Sequence, residues 1–331
     1  MGFIERVAEL LASLPQTPPK PSAEAKGADA ADTLELNRAD QGVDSIGRLF
    51  DLPSGVVADP KSRATPQRSA RTTTRMLKLD LPQLRRQSLI TPNADRTPIA
   101  ECFRRVKRQI LASTVNPRAG LPANLVMVTS ALPGEGKTFC TINLAISIAL
   151  EMDRTVLLVD ADVAKPSVPK MLGFEAEKGL MNVLLDRGID LADLLCKTNI
   201  DKLSILPAGT VHQQATELLA SDAMRVLLRE MATRYQDRII IFDSPPLLAA
   251  SEAGVLASRM GQIVMVVEAG KTTEAALKDA LGRIETSNVT GMILNKGEGA
   301  GLSYFYRGYG HLGYGRAHGT GDASTQPGDA L

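Results

Sequence analysis

The chain has 331 residues, of which 44% are hydrophobic, and a formal net charge of +1; this is ample for the core of one large domain or two ordinary ones, and so even a balance singles out no class of partner. Three widely spaced cysteines, Cys102, Cys140 and Cys196, form no CxxC or Cys/His pattern, which argues against a metal centre built on them or a disulfide framework and predicts reduced thiols in the cytoplasm. The longest uncharged, mainly apolar run, Thr138 to Leu150, falls short of the about 20 residues that cross a bilayer, so the chain is expected to span no membrane by itself.

Residues 1–15, MGFIERVAELLASLP, carry apolar residues at helical spacing and predict a short amphipathic helix. Glu5 and Glu9 are wrong for a secretion signal. From residue 16 to 75 the composition turns to Pro, Ala, Asp, Ser and Thr, and a disordered linker is expected. Charge is uneven along the chain. Between Lys61 and Arg118 there are 14 basic residues against 3 acidic ones, so the basic segment 76–98 suits phosphates, anionic lipid or an acidic partner. Order is expected to begin near Pro98, where Ile99, Phe103, Val106 and Ile110 recur at helical intervals.

From Asn124 onward short apolar runs alternate with helical patterns. The runs are NLVMVTS, RTVLLVD, KLSILPAG, RIIIFDSPP, QIVMVVEAG and TGMILNKG, with helices expected from Lys137, from Thr216 and across TEAALKDALGRIE. Nearly continuous apolar strands followed by crossovers mark a parallel sheet buried on both faces. The fold class is therefore α/β, a doubly wound, mainly parallel sheet, over residues 99–300. Beyond it, residues 301–331 form a glycine-rich, flexible tail that holds four of the five tyrosines, Tyr304, Tyr306, Tyr309 and Tyr314; the fifth is Tyr235.

The first strand runs into ALPGEGKT, Ala131 to Thr138. Glycines at 134 and 136 let successive amide hydrogens face one point, and the helix that follows adds its positive end, which together make a polyphosphate site. Pro133, Gly134, Glu135, Gly136, Lys137, Thr138 and Phe139 are expected to bind ATP, with Lys137 on the β and γ oxygens and the Thr138 hydroxyl on Mg²⁺. VLLVDADVAKP places Asp160 and Asp162 at the carboxyl end of a second strand, and IIIFDSPP places Asp243 at the end of another. Strand ends of a parallel sheet share one edge, so the three acids converge on the triphosphate. Asp243 suits the metal, and Asp160 and Asp162 offer one metal ligand and one base.

Phosphate loop, VDAD acids and FDSPP together resemble the bacterial tyrosine autokinases, P-loop kinases that serve exopolysaccharide production. The likeness extends from Ile99 to the tail and includes ECFRRVK and TELLAS; LDLPQLRRQSLITP is similar to a segment of the exosortase-associated branch. The resemblance implies an ATP- and Mg²⁺-dependent autokinase whose phosphoacceptors are Tyr304, Tyr306, Tyr309 and Tyr314. From Lys296 to Tyr304 an extended chain spans at most about 26 to 29 Å, enough to offer the phenols to its own site or a neighbour's. It further implies a ring of protomers that meet through a Glu-x-x-Arg-x-x-Arg helix, here Glu101, Arg104 and Lys107, and activation by a membrane-embedded chain-length (co-polymerase) protein, hence a peripheral place at the inner membrane. No nucleic acid is expected.

Two positions depart from the family pattern. Lys107 replaces an arginine and loses its planar fork; Ala164 replaces the arginine of Asp-x-Asp-x-Arg-Lys-Pro, leaving Lys165 as the nearby cation. Asn295 is assigned to the adenine base, with a plain turn residue as the alternative. A nucleotide-switched, partition-type ATPase is the rival reading of the whole chain, disfavoured because no lysine precedes Lys137 in the loop; a nucleotide-binding adaptor that transfers nothing is a third.

Overall fold

A computed structural model describes residues 75–92, 97–115, 120–186, 188–235, 237–284 and 288–297. The expected amphipathic helix, most of the linker and the tyrosine tail lie outside the described residues.

In chain order the elements are β1 (Met76–Leu77), α1 (Leu81–Arg86), α2 (Pro98–Val115), β2 (Leu125–Ser130), α3 (Lys137–Ala149), β3 (Thr155–Asp160), α4 (Val168–Leu172), α5 (Leu180–Leu185) and α6 (Leu191–Leu194). They continue with β4 (Cys196–Thr198), β5 (Leu203–Leu206), α7 (Ala215–Ala220), α8 (Asp222–Arg234), β6 (Arg238–Asp243), α9 (Ser251–Ala257), β7 (Gln262–Glu268), α10 (Glu274–Leu281) and β8 (Val289–Asn295). The strands form one sheet in the order β1-β4-β5-β3-β6-β2-β7-β8. All neighbours are parallel except β4 and β5. Every residue of β2 is buried, as the absence of polar alternation in its sequence requires of a strand covered on both faces.

Two apolar layers sandwich the sheet. Met127, Leu157 and Phe242 pack on one side with residues of α5, α8 and α9; Val126, Leu158 and Ile241 pack on the other with residues of α2 and α3. Asn124 ties the start of β2 to the turn before β6, its Nδ2 donating to the carbonyls of Ala232, Tyr235 and Arg238.

Order begins earlier than Pro98. Met76 and Leu77 extend the sheet by pairing with β4, and Asp80 caps α1 by accepting the Gln83 N–H. Leu77, Leu79, Leu84, Leu89 and Ile90 are buried in the core layer that covers α3. Two side-chain amides fix this segment: Asn199 bonds both backbone groups of Leu79, and Asn143 of α3 accepts the Ile90 N–H at 2.8 Å. The segment is basic on its wet side and leucine-rich on its dry side, so a charge count sees only the former.

Candidate active site

The phosphate loop joins β2 to α3. Gly134 and Gly136 sit at φ 85° and 94°, a region side chains with a Cβ rarely enter. A Cβ on Gly136 would stand 2.0 Å from Asn295 Nδ2. The α3 N-terminus that follows carries Lys137 and Thr138, each only 8% exposed.

Register across the sheet brings the acids to this loop. Asp243, last in β6, pairs with Val128 of β2 on one side and Asp160 of β3 on the other. Its Oδ2 accepts the Thr138 hydroxyl at 2.7 Å and its Oδ1 the Thr141 hydroxyl at 3.1 Å. Thr141 was not foreseen, although its place three residues after Thr138 puts both hydroxyls on one helical face. Lys137 Nζ lies 3.3 Å from Asp162 Oδ2. Asp160 Oδ2 accepts the N–H groups of Ser167 and Val168, both at 3.1 Å, while its buried Oδ1 has no partner among the described residues.

Burial dominates the electrostatics. It pushes the Asp160 carboxyl well above its usual range, with the Asp243 charge adding to the effect and the Val168 N–H opposing it. Asp243 rises to about 6, again through burial, although Lys137 and the Thr138 hydroxyl pull it down. A cleft of about 850 Å³ opens above the loop. Its lining includes Lys137, Thr138 and Asp162, Glu217 of α7 and Glu252 of α9, and the exposed Ala164 and Lys165.

These residues fit a magnesium nucleotide. Among the described residues no group of three or more acids, histidines or cysteines forms a metal cage by itself. The partnerless Oδ1 of Asp160 and the cations at the loop supply groups that such a ligand would satisfy.

Comparisons with known proteins agree with this geometry. Residues 124–288 match a family described as an AAA domain. Tyrosine-protein kinase YwqD of Bacillus subtilis is 36% identical over 173 residues, which are 51% of this chain and 71% of YwqD. The chain belongs to the bacterial P-loop tyrosine kinases. The succinoglycan biosynthesis transport protein ExoP of Rhizobium meliloti is 33% identical over 66% of this chain and 27% of its own length. The crystal structure of the VpsO kinase domain aligns at 31% identity with a TM-score of 0.51, over 60% of this chain and 93% of that one. This kinase therefore spans most of YwqD but about a quarter of ExoP.

The remaining predicted residues take up definite places in the kinase. Glu135 is buried, and its carboxylate turns from the cleft to accept the Leu132 N–H at 2.7 Å and the Thr272 hydroxyl. Asn295 sits beside the loop with its Nδ2 donating to the Glu135 carbonyl at 2.8 Å. On α2, Glu101 and Arg104 pair with each other near the surface. Lys107 instead points inward, to the Ser147 carbonyl at 3.2 Å and the Glu151 carboxylate at 2.5 Å. Tyr235, the tyrosine outside the tail, lies half-buried at the end of α8 with the Arg238 guanidinium 4.5 Å over its ring.

Proposed function

We propose that this chain is an ATP- and Mg²⁺-dependent protein-tyrosine autokinase that phosphorylates Tyr304, Tyr306, Tyr309 and Tyr314 and thereby regulates exopolysaccharide synthesis or export. One observation carries the reading. The chain leaves the sheet at Asn295 and Lys296, whose side chains bond directly to the phosphate loop, with seven residues of sequence between Lys296 and Tyr304. The half-buried setting of Tyr235 under the Arg238 guanidinium favours the tail as acceptor.

The magnesium nucleotide, when bound, supplies the transferable γ-phosphoryl group. Lys137 and the loop amides would hold its phosphates, and the Thr138 hydroxyl, Asp162 and Asp243 would hold the cation. Asp160 Oδ1 receives the phenol proton. Lys165 stands in for the missing arginine as an exposed cation of the cleft lining.

A ring in which each protomer offers its tail to the next is the assembly we favour, with Glu101 and Arg104 at the contact and Lys107 supporting α2 from inside. A membrane-embedded chain-length protein is the activator we expect, which would place the kinase at the cytoplasmic face of the inner membrane. No helix among the described residues is long and apolar enough to cross a membrane.

The test is a phosphotyrosine immunoblot of purified protein incubated with Mg²⁺ and ATP. Signal is expected in the wild type and absent in Lys137→Met and Asp160→Asn, with Asp160→Asn keeping its affinity for the magnesium nucleotide. Hydrolysis of ATP with no phosphotyrosine would instead identify a nucleotide switch.

A further inference from the structure

An anion site made of backbone amides works only if each peptide unit is turned the right way. A trans peptide is planar, with its C=O and the next residue's N–H pointing in opposite directions. Whatever grips the carbonyls of the loop from outside therefore aims the following amides inward.

Two consecutive peptides of this loop are gripped in that way. Lys296 Nζ donates to the Gly134 carbonyl at 2.7 Å, which sets the Glu135 N–H. Asn295 Nδ2 donates to the Glu135 carbonyl at 2.8 Å, which sets the Gly136 N–H. A third tie acts through a side chain, where the Thr272 hydroxyl bonds the buried Glu135 carboxylate. Lys296 is itself held. Its ammonium lies 3.2 Å from Glu268 Oε1, and its backbone adopts φ 58°, uncommon for a residue with a Cβ. Lys271 pairs with the other oxygen of the same Glu268 at 3.3 Å, but no bond links it to the loop.

We propose that Lys296 is a positioning residue for nucleotide binding: by fixing the Gly134 carbonyl on the outer side of the loop, it holds the Glu135 amide toward the phosphates. The inference builds on the assignment of the loop as the nucleotide site and goes beyond it by giving the root of the tail a part in forming that site. Without the lysine the peptide between residues 134 and 135 is free to rotate, helped by the absence of any atom within 4 Å of a Cβ on Gly134. Binding must then pay to order it again.

Titration calorimetry of full-length protein with ADP and Mg²⁺ tests this. Loss of a hydrogen bond from a charged donor predicts that Lys296→Met weakens ADP binding about tenfold, and that Lys296→Arg restores most of the loss. Lys271→Met is the control, because it removes the same charge from the same glutamate without touching the loop; its affinity should stay within about twofold of wild type if the effect is directional rather than long-range. The Lys296 side chain is 47% exposed, so its replacement is expected to leave the thermal midpoint in place. Wild-type affinity in Lys296→Met, or equal weakening in both lysine variants, overturns the proposal. The readout is independent of phosphoryl transfer: ADP binding without phosphotyrosine in the wild type sinks the kinase assignment alone.

Discussion

Asp243→Asn should make the protein more stable and inactive at once. The side chain is fully buried, and its carboxyl rises from 3.8 to about 6. At about 1.4 kcal/mol per pH unit, its charged form costs the metal-free fold about 3 kcal/mol at neutral pH. The sign follows from which state ionises first. Below pH 3.8 both folded and unfolded chains are protonated and the group contributes nothing to the balance; as pH rises toward 6 the unfolded chain loses its proton first, so stability falls, and above 6 the deficit is complete. Asparagine removes this dependence. It keeps one carbonyl oxygen for the Thr138 or Thr141 hydroxyl but loses the second acceptor, so we expect a gain of about 2 to 3 kcal/mol at pH 7.5 in EDTA. In a domain of this size that is about 4 to 12 °C in Tm. The gain should shrink to near zero at pH 4. With Mg²⁺ and ADP present the order should reverse, because only the wild type is stabilised by the bound metal nucleotide. Denaturant unfolding at both pH values decides the matter, and a variant no more stable than wild type at pH 7.5 would refute the electrostatic argument.

Replacing Tyr304, Tyr306, Tyr309 and Tyr314 together by phenylalanine should reduce phosphotyrosine to background while ADP affinity is unchanged; persistent label mapped to Tyr235 by mass spectrometry contradicts the tail assignment. Leu84→Ala, in the segment ahead of α2, should cost about 2 to 5 kcal/mol by urea denaturation, since Leu84 is 1% exposed. A loss below about 1 kcal/mol would mean that residues 76–92 are not part of the cooperative unit.

The gathering of the candidate residues at one edge was readable because a parallel sheet leaves little choice. Buried strands appear as unbroken apolar runs, and whatever ends them is on one rim, so Lys137, Thr138, Asp160, Asp162 and Asp243 could be gathered before any coordinates. What escaped depends on short or mixed signals. β1 has two residues and β4 three, too few for any periodicity to emerge. The leucines at 77, 79, 84 and 89 are interrupted by arginines that face water, and it takes the pairing of Met76 with Lys197 and the side-chain ties from Asn199 and Asn143 to keep them dry. Lys107 stands at the position of a surface arginine in the family pattern, yet the nearby Ser147 carbonyl and Glu151 draw it inward. The Thr272 bond to Glu135 joins residues 137 positions apart, and no local pattern announces such a tie.

The strand order also fixes where the described sheet begins and ends along the chain. β1 and β8 are the first and last of eight strands, so at about 4.8 Å per strand they lie about 34 Å apart across the sheet. A contact made at the β1 margin therefore need not crowd the phosphate loop, to which Asn295 and Lys296 bond at the β8 end.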